Sequence, residues 1–203
     1  MKKLLILLAA GASLGACASN SGVAEAPVGP PVAAVDPNSP LFHPMFMSMA
    51  GSSDQFEIQS SQLALQASQN QAVRSYANLM IAHHQATTAN LVSAAQSTGL
   101  TPPPPALLPM HAQMLQQLQA SGTGAAFDAA YKQAQIMSHQ EALSLHSNYA
   151  NGGDVPALRS VAAATAPIVQ QHLQQAQQLN VQPMMMAPPP PPESSSSQAG
   201  ERG

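Results

Sequence analysis

The chain has 203 residues, of which only 7% are charged; its formal net charge is −3, and it holds one cysteine and no tryptophan. Six Lys and Arg against nine Asp and Glu leave no electrostatic basis for nucleic-acid binding. A single cysteine excludes a disulfide-stapled fold, so stability has to come from helix packing.

Met1-Lys2-Lys3, the apolar run from Leu4 to Ala10 and the small residues up to Leu14-Gly15-Ala16-Cys17 read as a secretory signal, too short to span a membrane. Leu14-Gly15-Ala16-Cys17 resembles the lipobox of bacterial lipoproteins, in which the cysteine sulfur is lipidated and the chain is cut just before it. The expectation is a signal peptide over 1–16, a lipid on Cys17 and a periplasm-facing address in the cell envelope. Ala18 and Ser19 follow with no aspartate, which by the same resemblance points to the outer membrane. Losing Lys2 and Lys3 takes the net charge to about −5.

From 17 to 48, Pro, Gly, Ala and Val predict a flexible tether. Met45, Met47 and Met49 at its end resemble the thioether clusters that hold Cu(I), a soft ion suited to sulfur, but read more readily as a methionine-rich lead-in packing on the bundle. Asp54-Gln55-Phe56-Glu57 has capping-box spacing, which predicts a first helix from Asp54 to about Gln69. Asn70 then caps a longer helix whose inward stripe is Val73, Ala77, Met80, His84, Thr87, Leu91 and Ala94, with His83 at its edge and Gly99 at its end. Thr101 to Pro105 cannot be helical, and Pro109 opens a short helix with Met110, Met114, Leu115 and Leu118 apolar.

Ser121-Gly122-Thr123-Gly124 breaks the chain before a long helix that closes at Asn151-Gly152-Gly153. At about 100° per residue, Asp128, Gln135, His139 and His146 share an arc of about 40°, with Tyr131 and Tyr149 beside it. Phe127, Ala134 and Leu145 flank that arc on one side and Ile136 and Leu143 on the other, so hydrogen-bonding groups stand where burial normally selects leucine. Asp154 is expected to cap the last helix, with Pro156 in its first turn. Its stripe reads Leu158, Val161, Thr165, Ile168, His172, Ala176 and Leu179, and Pro167 should kink it. Met184, Met185 and Met186 and the Pro and Ser runs behind them make a disordered tail over 183–203. The fold expected is all-α: four main helices and one short one in a domain over 49–182.

Phe127-Asp128 with Tyr131, His139-Gln140-Glu141-Ala142-Leu143, Met80-Ile81 followed by His84, and Pro167 followed by His172-Leu173 together resemble the domain of unknown function family 4142. The resemblance implies exported bacterial proteins with a ferritin-like four-helix bundle. That family usually shows Asp-His where this chain has His83-His84, so an orienting role for that aspartate has no residue here.

Glu57, His84, Asp128, Tyr131, His139, His146 and His172 are the candidate inward polar groups, with a ligand-type side chain on each main helix. No Glu-x-x-His occurs, so di-iron carboxylate chemistry lacks its ligands. The Gly-x-Ser-x-Gly match at Gly11 to Gly15 falls inside the signal segment and not on a strand-to-helix elbow, no phosphate loop is present, and no catalytic constellation is expected. Two readings of the row stay open. One is a hydrogen-bond network fixing helix register. The other is a mononuclear metal site joining His139 or His146 to His84, His172 or Glu57. The function expected is an envelope lipoprotein with a binding or structural bundle and a protein partner in the envelope. The alternative is a periplasmic metal-binding protein, using the histidines for a transition metal or the methionines for copper.

Overall fold

The computed structural model describes residues 36–104 and 106–181. Among them the chain is all-helical, with α1 (His43–Ala67), α2 (Gln71–Ser97), the short α3 (Pro109–Ala120), α4 (Ala125–Gly152) and α5 (Pro156–Gln178). The pairs α1–α2 and α4–α5 close into a four-helix bundle through α1–α4 and α2–α5, and α3 rests on α1 and α4. No described helix is long and apolar enough to cross a membrane.

Local chemistry sets most of the boundaries. The Asn70 side chain accepts from the amides of Ala72 and Val73, satisfying two of the donors that a helix start leaves bare. At the other end of α2, Gly99 takes φ +75° and the amides of Leu100 and Gly99 return to the carbonyls of Ala95 and Gln96, a Schellman closure. Pro109 and Pro156 stand in the first turns of α3 and α5, where a missing N–H is harmless.

The other three long helices end on a cation. Arg74 donates to the carbonyls of Leu65 and Ser68 at the end of α1. Arg159 donates to Gly153 at the end of α4 at 2.7 Å, and Lys132 to Leu179 at the end of α5 at 2.9 Å. Each positive group meets the negative end of a helix dipole.

Several expectations need correction. α1 begins at His43 rather than Asp54, so Asp54 and Glu57 are mid-helix and no capping box forms. Residues three apart share a helix face, and both carboxylates are buried in the bundle. Helical geometry also breaks up the Met45, Met47 and Met49 cluster. Neighbours two apart lie about 200° around the helix, so Met47 is buried in the core while Met45 and Met49 are half-buried on another side. Asp154 does not cap α5. Val155 is the N-cap residue, and Asp154 accepts from the Tyr149 hydroxyl and pairs with His43, both at 2.8 Å, tying the start of α1 to the α4–α5 turn. In the stripes, Ala95, Ala162 and Val169 are buried where Ala94, Val161 and Ile168 were expected, a rotation of one residue. Pro167 lies inside α5 without ending it.

The apolar core comes in two pieces. One gathers Ala64, Val73, Met80, Leu118, Phe127 and Tyr131. The other gathers Phe46, Leu91, Leu145, Tyr149 and Leu158, with the Phe46 and Tyr149 rings stacked at 3.7 Å. Between the two, each long helix turns buried polar residues inward: Asp54 and Glu57 from α1, His84 and Thr87 from α2, Gln135 and His139 from α4, Thr165 and His172 from α5.

Candidate metal centre

His84 stands on the inward stripe of α2 between Met80 and Thr87, His139 on that of α4 between Gln135 and Ala142, and His172 on that of α5 between Val169 and Ala176. Helical periodicity therefore delivers one imidazole from each of three helices to the same height. Their ring centroids form a nearly equilateral triangle of 5.5, 5.3 and 5.4 Å. One ligand nitrogen from each ring lies within 4.8 Å of the other two. A tetrahedral site with metal–nitrogen bonds near 2.1 Å has nitrogens about 3.4 Å apart, so no pair of nitrogens needs to close by more than about 1.4 Å.

The opposite nitrogen of each ring is already held. His84 Nδ1 bonds Asp54 Oδ1 at 2.7 Å, and Asp54 in turn accepts from the hydroxyls of Thr87 and Thr88 at 3.0 and 2.8 Å. His139 Nδ1 donates to the Gln135 carbonyl at 2.8 Å, with Glu57 Oε1 3.6 Å away. His172 Nε2 pairs with His83 Nδ1 at 2.7 Å. What remains is His84 Nε2, His139 Nε2 and His172 Nδ1, all buried with no hydrogen-bond partner among the described residues. Metal-binding histidines are characteristically held in this way, the second nitrogen fixed by a carboxylate or carbonyl.

Electrostatics sorts the three rings. Burial opposes a charge on His84, but the hydrogen bond and charge of Asp54, with Glu57 behind, outweigh it and raise its pKa. Burial lowers that of His139 in spite of Glu57. His172 is pushed down to about 2, by burial first and then by His84, His139 and His83. Neutral His139 and His172 are thus favoured as lone-pair donors, while at His84 an ion competes with the proton that Asp54 favours.

Of the seven inward polar groups expected from the sequence, His84, His139 and His172 come together. Glu57 stands behind His139, its Oε1 accepting from Ser138 and its Oε2 buried without a partner. The other three stand apart from the triangle. Tyr131 bonds Ser61 at 2.7 Å within one apolar end, and Asp128 is buried in the first turn of α4. His146 meets the edge of Phe46 in the other end, where burial takes its pKa to about 4. Cys17, Met184, Met185 and Met186 lie outside the described residues.

Asp54, Thr88 and Ser138 escaped the sequence reading as members of the site, and His83 was placed only at the stripe's edge. His111 escaped too. It is buried on α3 with Nδ1 2.7 Å from Ser52 Oγ, which also accepts the Leu108 amide at 2.7 Å, so the pair fastens α3 and its lead-in to α1. Its seven-residue spacing from Leu118 puts both on one face and was the available signal.

No curated protein and no solved structure matches the chain. A family model described as Domain of unknown function (DUF4142) does match, over residues 29–179, a span that takes in all five helices and every histidine of the triangle. With that span covering well over half of its length, the chain belongs to the family described as Domain of unknown function (DUF4142).

Proposed function

We propose that the protein is a lipid-anchored envelope protein whose bundle, ferritin-like in its four long helices, binds one divalent transition-metal ion at His84, His139 and His172. The observation that carries this reading is the set of three bare nitrogens. An unmade hydrogen bond in the interior costs about 1–3 kcal/mol; other buried atoms, among them His111 Nε2 and His146 Nδ1, also lack one, but these three belong to rings that offer nitrogens within 4.8 Å of one another. The second nitrogen of each ring has its partner, and these three have none among the described residues.

Charge favours a dication. Asp54 and Glu57 are both buried beside the triangle, and an uncompensated buried charge is expensive. Among the described residues, Arg74, Lys132 and Arg159 donate to backbone carbonyls, and the cationic partner in every ion pair is a histidine. An ion of charge +2 balances the two carboxylates. Three imidazoles suit zinc, cobalt, nickel or copper, whereas magnesium and calcium prefer oxygen.

The test is a set of thermal melts of the Cys17→Ala chain with zinc, with chelator, and with His139→Gln or His172→Gln. Zinc should raise the melting temperature through its preference for the folded state, chelator should reverse the rise, and either substitution should abolish it. A parent melt indifferent to zinc and chelator defeats the metal reading and leaves buried water as the occupant of the triangle. The envelope address is supported by Leu14 to Cys17. Parent protein should sediment with membranes and Cys17→Ala should not; a variant that still sediments counts against the anchor.

A further inference from the structure

Resting on the metal reading above, we propose that His83 is the port of the site: the first protein ligand that an incoming ion meets, which hands it through His172 to the buried triangle. His83 and His84 are consecutive on α2 and so point about 100° apart. His84 is only 2% exposed, whereas His83 faces solvent. His83 Nδ1 nonetheless lies 2.7 Å from His172 Nε2, with the two rings stacked at 5.0 Å and 26°.

His172 therefore differs from the other two ligands. His84 is closed from behind by Asp54 and His139 by the Gln135 carbonyl. Only His172 has an exposed imidazole at its back, so it alone joins solvent to the triangle through ligand nitrogens on both sides. An open groove of about 420 Å³ between α2 and α5 is lined by Thr87, Asn90, Ser160, Thr165 and Ile168. Thr87 is one turn from His83 and Ile168 one turn from His172, so the groove's lining comes within one turn of each. Thr87, Asn90, Ser160 and Thr165 place hydroxyl and amide groups in a surface that is otherwise mainly apolar.

A dication cannot enter a buried site by shedding its water all at once, because the loss of hydration is too costly. Exchange one ligand at a time avoids that cost. The ion first takes the place of the proton shared by His83 Nδ1 and His172 Nε2, and that proton leaves to solvent. It then moves to the inner Nδ1 as His84 and His139 replace its remaining waters, while a proton from solvent returns to the hydrogen bond between His83 Nδ1 and His172 Nε2.

The experiment is stopped-flow uptake and chelator-driven release of cobalt(II), followed by its visible absorption, on the parent full chain and on His83→Gln. Glutamine can accept from His172 Nε2–H and keep that ring oriented, but its amide is a poor ligand. The port predicts association and release both slowed by about tenfold with the equilibrium affinity little changed. Association at the parental rate, whatever happens to affinity, overturns the proposal and leaves His83 with orientation alone. A melt of His83→Gln matching the parent confirms that a slow rate is not a folding defect. If the parent takes up no cobalt, it is the metal reading that has failed, which the parent trace alone shows.

Discussion

At either end of the bundle the inward positions carry Phe46, Tyr149 and Leu158 or Phe127, Tyr131 and Met80; at mid-height the same helix faces carry Asp54, Glu57, His84, His139 and His172. The ends gain about 1.5–3 kcal/mol for each large apolar side chain removed from water. The middle layer, by contrast, leaves nitrogens and a carboxylate oxygen without partners. One helical stripe thus does two jobs. Its ends hold the helices in register, and that register is what brings three imidazoles to one height. Polar residues that weaken a fold and are kept in place by their surroundings are what a functional site is expected to look like.

Damage to an end should separate stability from binding. Phe127→Ala removes a fully buried ring and should cost about 3–5 kcal/mol in a metal-free chemical melt. The folded fraction should still bind zinc with parental affinity, since Phe127 packs on Tyr131 and makes no bond to the histidine layer. A matching fall in zinc affinity would show that end and layer are not separable.

A smaller effect contrasts a histidine in an apolar end with one in the layer. His146 has a folded pKa of about 4 against 6.5 for the free side chain, through burial. Between these values the unfolded chain binds the extra proton. Stability is then full above about pH 6.5 and falls towards pH 4, by at most about 1.4 kcal/mol per pH unit. His139 and His172, also lowered, act in the same sense. His84, raised, acts in the opposite sense, stabilising most below 6.5 and losing that contribution as pH rises through its folded value. Melts of chelated protein from pH 4 to 7 should show a shallower slope in His146→Leu than in the parent. Equal slopes would mean that His146 is not held neutral by its apolar surroundings.

Much of this was legible in the sequence where the signal is local. Asn70, Gly99, Pro109 and Pro156 bound their helices through turn and cap chemistry that needs no distant partner. His84, His139 and His172 were legible as inward residues because periodicity alone decides which face they take. What local pattern could not decide was Asp54. An acid three residues before a glutamate is the same string whether it caps a helix or, as here, sends two carboxylates into the interior, and only His84 on another helix distinguishes the two. The pairing of His83 with His172 was hidden for the same reason, being a contact across 89 positions of sequence.

The cations at the helix ends have a dynamic consequence. Helix termini ordinarily fray on their own, and their amides exchange with solvent hydrogen at little free-energy cost. Here the last carbonyls of α1, α4 and α5 are each held by a side chain rooted in a different helix, Arg74 in α2, Arg159 in α5 and Lys132 in α4. One terminus cannot unwind without releasing its neighbour's side chain, so local opening at these ends is tied to the bundle as a whole. Amide protection should then persist out to the final turns of these helices, and a chain with very few charges has turned three of them into latches against fraying.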